Sequence, residues 1–242
     1  MSEIRRLAVF CGSNPGARPE YMEAARAFAR LLCARGIGVV YGGSSVGLMA
    51  ALADTMIDDL GEIIGVIPRM LVDREVANKA LADLRIVGSM HERKAMMAEL
   101  ADGFVALPGG VGTLEEFFEI WTWGQLGMHD KPCGLLNVAG YFDPLLQFLD
   151  RAVEEKFVRQ VHRNMVVVES EPSALLARFE AYEPPRVVKW INAGTIKQPD
   201  RAATYISAWV GEGVLCGGDA RSGGAPNYAP SLRSVAGLLL AR

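Results

Sequence analysis

A doubly wound, mostly parallel α/β sheet with helices on both faces is the fold that this sequence predicts. Three observations carry the prediction. Short runs such as Leu7–Cys11 and Phe104–Leu107 are apolar at every position, the composition of strands covered on both faces. Segments with apolar residues every three or four positions separate these runs, as the crossovers between parallel neighbours require. Glycine-bearing loops follow the first, second and central runs. In such a sheet all three fall at the carboxyl edge, where ligands bind.

The first strand, Leu7–Cys11, runs into the loop Gly12-Ser13-Asn14-Pro15-Gly16. Pro19 opens a helix reaching Arg35, whose apolar positions Tyr21, Ala25, Phe28 and Leu32 share one face, and Gly36 stops it. Gly38–Tyr41 is the second strand, and Gly42-Gly43-Ser44-Ser45-Val46-Gly47 leads from it into a helix over Leu48–Asp59. Ile63–Ile67 is the third strand, closed by Pro68. The polar stretch Arg69–Asp83 reads as a loop with a partial helix, and Arg85–Val87 as a short strand. Met90–Leu100 is a helix with His91, Glu92, Arg93 and Lys94 in its first turn. After the central strand come a helix over Thr113–Leu126, a strand over Cys133–Asn137 and a helix over Asp143–Lys156. A strand over Val166–Val168 and a helix over Pro172–Tyr182 finish the alternation. Residues 1–191 therefore read as one Rossmann-like domain. From Asn192 to Arg242 the alternation fails and glycines cluster, so this segment is expected to be a poorly ordered extension, with one short helix over Asp200–Val210.

With 242 residues, half of them hydrophobic, the chain buries a full core. A net charge of -3 and no interleaving of aromatic and basic residues argue against nucleic-acid binding. Cys11, Cys33, Cys133 and Cys216 are scattered without C-x-x-C spacing, so neither a disulfide framework nor a metal site is expected. Met1–Arg6 runs straight into a strand and no apolar run nears the length of a membrane span. The expectation is a cytoplasmic protein without signal peptide or membrane partner.

The chemistry concentrates around Pro108-Gly109-Gly110-Val111-Gly112-Thr113-Leu114-Glu115-Glu116, a strand end, a glycine turn and a helix start. The glycines admit positive φ and let a ligand approach without meeting a Cβ. Thr113 reads as an N-cap completed by Glu116 in a capping box, and the helix start offers free N–H groups suited to phosphate. The spacing is neither G-x-G-x-x-G nor G-x-x-x-x-G-K-[ST], which argues against a usual dinucleotide fold and a P-loop ATPase. Arg93 and Lys94 open a helix, where the dipole disfavours cations, so a nearby anion is expected. His91 is a candidate proton donor with no partner pattern. No nucleophile elbow or metal-ligand spacing is present.

Met90-His91-Glu92-Arg93-Lys94 followed by the Pro108–Glu116 motif closely resembles the Lonely Guy family of cytokinin riboside 5′-monophosphate phosphoribohydrolases, labelled lysine decarboxylase-like in older naming. The resemblance extends through Trp121–Gly127, Lys131–Asn137, Phe10–Ser13 and Tyr41–Gly43, and covers roughly Leu7 to Lys189. Val111 stands where plant members often carry Tyr. The resemblance implies hydrolysis of the N-glycosidic bond of a nucleoside 5′-monophosphate, without a cofactor, in a homodimer with sites near the subunit interface. By matching positions it implies catalytic roles for Arg93 and Glu116. It implies substrate contacts for Glu75, Lys94, Gly110, Val111, Gly112, Thr113, Leu114, Glu115 and Thr122. Gly12, Ser13, Gly42, Gly43 and Gly109 join the site as the glycine loops of the same sheet edge, and Met90 as a candidate wall of an adenine pocket. Phe117, Phe118, Trp121 and Trp123 exceed what one helix face needs for its own core, which adds to the expectation of a dimer. Two rivals remain in view. One is a non-catalytic nucleotide or molybdenum-cofactor carrier of the same fold, which would not need Arg93 with Glu116. The other is a pyridoxal-phosphate decarboxylase, which would need a Schiff-base lysine, with Lys94 the only lysine near the site.

Overall fold

The computed structural model describes residues 3–72 and 77–185. Seven strands form one sheet: β1 (Arg6–Phe10), β2 (Gly38–Tyr41), β3 (Ile63–Pro68), β4 (Asp83–Val87), β5 (Gly103–Ala106), β6 (Cys133–Leu136) and β7 (Val166–Glu169). Their order is β4-β3-β2-β1-β5-β6-β7 and every pairing is parallel. The helices of the described residues are α1 (Pro19–Ala34), α2 (Gly47–Asp58), α3 (Met90–Leu100), α4 (Val111–Gln125), α5 (Asp143–Glu154), α6 (Gln160–Arg163) and α7 (Pro172–Glu180). The doubly wound α/β fold expected from the sequence is the fold of these residues. The expected extension 192–242, the helix over Asp200–Val210 and Glu75 lie outside them.

The period of two along each strand divides the core into two layers. Leu7, Val9, Val39, Tyr41, Val105 and Leu107 point to one face and pack with Phe28 and Leu32 of α1, Leu52 of α2 and Leu176 of α7. Ala8, Phe10, Val40, Val66, Phe104 and Ala106 point to the other and pack with Met97 of α3, Phe117 and Ile120 of α4 and Leu149 of α5. Burial on both faces explains why the central strands read as unbroken apolar runs. At the sheet edge the rule weakens. β4 starts two residues before the expected Arg85, because Asp83 and Arg85 stand on one face of an edge strand and pair at 2.9 Å. The single turn of α6 was not anticipated.

The chain builds outward from β1 to β4, then returns through α3 to lay β5 beside β1. That reversal opens a crevice beyond the carboxyl ends of β1 and β5. Backbone hydrogen bonds fasten the loops around it: Gly12 donates to the Pro108 carbonyl and Leu48, at the start of α2, donates to the Gly12 carbonyl, both at 3.0 Å. Because α3 and α4 follow strands that end at this edge, both present their N-terminal turns to the crevice. Among the described residues, no helix is long and apolar enough to cross a membrane.

Candidate active site

A cleft of about 290 Å³ occupies the crevice. Its walls come from five elements: Phe10, Cys11, Gly12 and Ser13 from the end of β1, Gly42 from the end of β2, Met49 of α2, Met90 and Arg93 of α3, and Gly110–Thr113 with Glu115 and Glu116 of α4. The structure thus brings together eleven of the residues singled out in the sequence: Gly12, Ser13, Gly42, Met90, Arg93, Gly110, Val111, Gly112, Thr113, Glu115 and Glu116. Gly43, Lys94, Gly109, Leu114 and Thr122 are not among the residues that line it. Cys11 and Met49 line it too. Cys11 reads in the sequence as a buried small hydrophobe, and the end of an apolar strand gives no sign that it borders a ligand.

The glycine loop works differently from the sequence expectation. The N-cap of α4 is Gly110, at φ -87, and Val111 is already helical. Thr113 is therefore not the N-cap but the third residue of the helix, and Glu116 is not a capping-box carboxylate. The N–H groups of Val111, Gly112 and Thr113 head the helix without intrahelical acceptors. None of Gly109, Gly110 and Gly112 has positive φ. Space is what requires glycine. A Cβ on Gly109 would stand 2.7 Å from the Cβ of Thr113 and 2.9 Å from the nitrogen of Gly12, whereas Gly110 and Gly112 face open room. Gly43 and Gly47, at φ +75 and +58, supply the left-handed turns after β2. The box-like cap of the site belongs instead to α3. Ser89 Oγ accepts from the Glu92 N–H at 3.1 Å, and Glu92 Oε2 accepts from the Gly88 N–H at 2.7 Å. Ser-x-x-Glu at 89–92 was a legible signal that the sequence reading did not use.

Arg93 and Glu116 meet at the floor of the cleft, Nη2 to Oε1 at 3.3 Å, with side chains only 6% and 11% exposed. A lone buried charge is costly, and each here supplies the other's counter-charge. Arg93 Nη1 also rests on the Met90 sulfur at 3.9 Å. Gly42 makes room for this guanidinium, since a Cβ there would overlap Arg93 Nη2. The buried Arg93 Nε has no hydrogen-bond acceptor among the described residues. Glu116 lies about one turn along α4 from Gly112, and both line the cleft, so the carboxylate and the free helix N–H groups share one of its walls.

Lys94 does not face the cleft. Its ammonium is buried between Glu115 and Glu119 of α4, with Nζ 2.5 Å from Glu119 Oε2. Burial pulls its pKa down, but the hydrogen bonds and charges of the two carboxylates outweigh that and hold it above the ordinary lysine value. Two cations can therefore open α3 because carboxylates of α4 meet each of them. Glu115 is the half-exposed partner of Lys94. Thr122 donates to the Phe118 carbonyl of its own helix at 2.7 Å. His91 is exposed and outside the lining. Phe117 and Trp121 are buried, and Phe118 and Trp123 pack against the same core. These four aromatics are accounted for within the chain.

A larger cleft of about 950 Å³ lies at the amino edge of the sheet, around Asp102, Phe104, Trp123, His129 and Lys131. Its polar groups hold the fold. Lys131 Nζ donates to the carbonyls of Ala98 and Ala101 that end α3, at 2.7 and 2.6 Å, and His129 Nε2 bonds the Ile120 carbonyl at 2.9 Å. The smaller cleft has the buried ion pair and the helix start, and the chemistry is assigned to it.

The family model described as "possible lysine decarboxylase" matches residues 49–179. A protein of Oryza sativa subsp. japonica named "probable cytokinin riboside 5′-monophosphate phosphoribohydrolase" is 48% identical over 183 residues, 76% of this chain and 73% of that protein. A cytokinin riboside 5′-monophosphate phosphoribohydrolase of Arabidopsis thaliana is 46% identical over 183 residues, 76% of this chain and 85% of that one. Among solved structures, the molybdenum cofactor binding protein of Rippkaea orientalis aligns over 75% of this chain and 98% of its own with a TM-score of 0.56 at 21% identity. The molybdenum cofactor carrier protein of Chlamydomonas reinhardtii aligns over 74% and 100% with a TM-score of 0.56 at 18% identity. At such identities the likeness is one of fold.

Proposed function

The chain belongs to the family of cytokinin riboside 5′-monophosphate phosphoribohydrolases, whose model carries the description "possible lysine decarboxylase", and from that membership and the cleft we propose that it hydrolyses the N-glycosidic bond of adenosine 5′-monophosphate or its N6-modified forms. The products are the free base and ribose 5-phosphate. The observation that carries this reading is the Arg93–Glu116 pair, buried at the floor of a cleft whose wall ends in the free N–H groups of α4.

The chemistry needs two things that this arrangement offers. Cleavage passes through an oxocarbenium-like ribosyl cation, and a buried carboxylate stabilises that charge more strongly than a solvated one. We assign Glu116 to face C1′ and to orient the attacking water. The water oxygen bonds to C1′ as the C1′–N bond breaks and gives up a proton to Glu116 and on to solvent, while the electron pair leaves on the base, which takes up a proton from solvent. Arg93, which also lines the cleft, holds the carboxylate in place. Gly110, Gly112 and Thr113 are assigned to the 5′-phosphate, and Met90 with Met49 to the wall nearest the base.

A carrier of the same fold would use the glycine loops, but a buried ion pair open to the cleft has no task in it. The decarboxylase in the family description fits poorly. A Schiff base requires a neutral amine facing the ligand, and Lys94 is held protonated between two carboxylates outside the lining. The test is chromatography of the products from N6-isopentenyl-AMP and AMP. Stoichiometric base and ribose 5-phosphate is the expected result, and turnover of neither nucleotide would overturn the reading.

We further propose a homodimer. Thr122 lies outside the cleft of its own chain, and Val111 stands 84% exposed at the mouth of that cleft, a position suited to a second copy. Light scattering should give about twice the chain mass of 26.2 kDa. A monomer at micromolar concentration would refute it.

A further inference from the structure

We propose that Tyr141 is a positioning residue that sets the phosphate-binding peptide of the glycine loop; the inference rests on the function proposed above and names a device within that site. Tyr141 lies outside the cleft, on the loop after β6. Its hydroxyl donates to the Gly109 carbonyl at 2.6 Å.

The peptide that carries this carbonyl also carries the N–H of Gly110. In a trans peptide the two groups point in opposite directions. A carbonyl held toward Tyr141 therefore turns the Gly110 N–H the other way, and Gly110 lines the cleft. This peptide unit is flanked by glycine on both sides, so no Cβ opposes its rotation. It is the unit in the loop most free to flip, and a flip would replace a donor with a carbonyl oxygen facing the anion. A tether on the carbonyl is what prevents that.

The tether is itself held rigidly. Left-handed conformations at Ala139 and Gly140, φ 51 and 74, turn the chain to present Tyr141. Asn137 braces the turn, accepting from the Phe142 N–H at 2.8 Å and donating to Asp143 at 2.7 Å. The ring sits edge-on to Tyr21 and Phe142, with centroids 5.5 and 5.1 Å away. A ring with these contacts packs equally well without its hydroxyl.

The experiment compares the full chain with Tyr141→Phe, which removes the oxygen and keeps the ring. Binding of ribose 5-phosphate and of free adenine is measured by calorimetry, and KM and kcat by base release. The expected result is a rise of about 10-fold in KM for the nucleotide and in the Kd of ribose 5-phosphate, the scale of one hydrogen bond to an anion. Adenine affinity should stay within about twofold, since the base does not touch this peptide, and any fall in kcat should be smaller than the rise in KM, because the phosphate also helps to hold C1′ in place. Unchanged ribose 5-phosphate binding in the variant would overturn the proposal, and so would equal losses for ribose 5-phosphate and adenine, which a merely structural role predicts. If the unaltered chain neither turns over nucleotide nor binds ribose 5-phosphate, the functional reading fails first. A variant indistinguishable from an active parent refutes only the tether.

Discussion

Glu116→Gln should lower kcat on the nucleotide by about a thousandfold while leaving its binding nearly unchanged. The factor corresponds to about 4 kcal/mol of transition-state stabilisation, the size expected when one well-placed charge is removed from a desolvated site. Gln keeps the shape of the side chain and an oxygen for Arg93 Nη2, now 3.3 Å away. It lacks the negative charge that faces a developing ribosyl cation. Because Glu116 is not a capping residue, loss of a helix cap cannot account for the defect. A purely structural salt bridge predicts something else: a lower Tm, with normal turnover per folded molecule below it. Single-turnover base release with circular dichroism on the same sample separates the two. Wild-type kcat in the Gln variant would remove Glu116 from the reaction.

The same pair can be reached from its other side. Gly42→Ala places a methyl group where Arg93 Nη2 now lies. The obstructed atoms are the far end of a long side chain, so the chain should fold. The guanidinium must then move off Glu116, and displacements of that size commonly cost on the order of 10²-fold in rate. Normal kcat/KM in this variant would show that the pair tolerates separation.

How much of this was legible in the sequence follows from where each signal arises. Strands buried on both faces, such as Val39–Tyr41 and Phe104–Ala106, announce themselves as continuous apolar runs, so the central sheet and its carboxyl-edge loops could be placed. The edge strand β4 was placed only from Arg85 onward, because Asp83, paired with Arg85 on the same face, reads as loop composition. The glycine loop was read as an anion site from its glycines and a cap at Thr113, but the structure places the cap at Gly110 and gives the glycines another reason. Composition says that glycine is present. Whether it serves φ, as at Gly43, or space, as at Gly109, depends on neighbours brought from other elements. Lys94 shows the same limit: Lys94 and Glu119 are 25 positions apart, and only the packing of α3 on α4 buries the ammonium between Glu119 and Glu115. Tyr141 carried no signal at all, since an exposed aromatic in a loop has no pattern that points to a carbonyl 32 positions away.

The intact 5′-phosphate should be required, with the corresponding nucleoside at least ~100-fold poorer in kcat/KM, a loss of about 2.7 kcal/mol. The helix start explains why. Gly110 ends in a β-like conformation, α4 begins at Val111, and the N–H groups of Val111, Gly112 and Thr113 are left without intrahelical acceptors at the positive end of the helix dipole. An anion satisfies all of them together, and a neutral 5′-hydroxyl satisfies one at most. Donors left unpaired in a closed site cost on the order of 1–3 kcal/mol each. The phosphate takes no part in bond breaking, so its binding energy is available to hold C1′ against Glu116, one turn further along the same helix. Removing it should therefore depress kcat as well as raise KM. Uniform loss of affinity with kcat preserved would mean that the phosphate only anchors the substrate. The measurement is base release from matched nucleotide and nucleoside pairs, with ribose 5-phosphate as a competitive inhibitor in parallel. Comparable kcat/KM for the pair would mean that the start of α4 does not receive a phosphate, and the orientation assigned to the nucleotide in the cleft would have to be reversed.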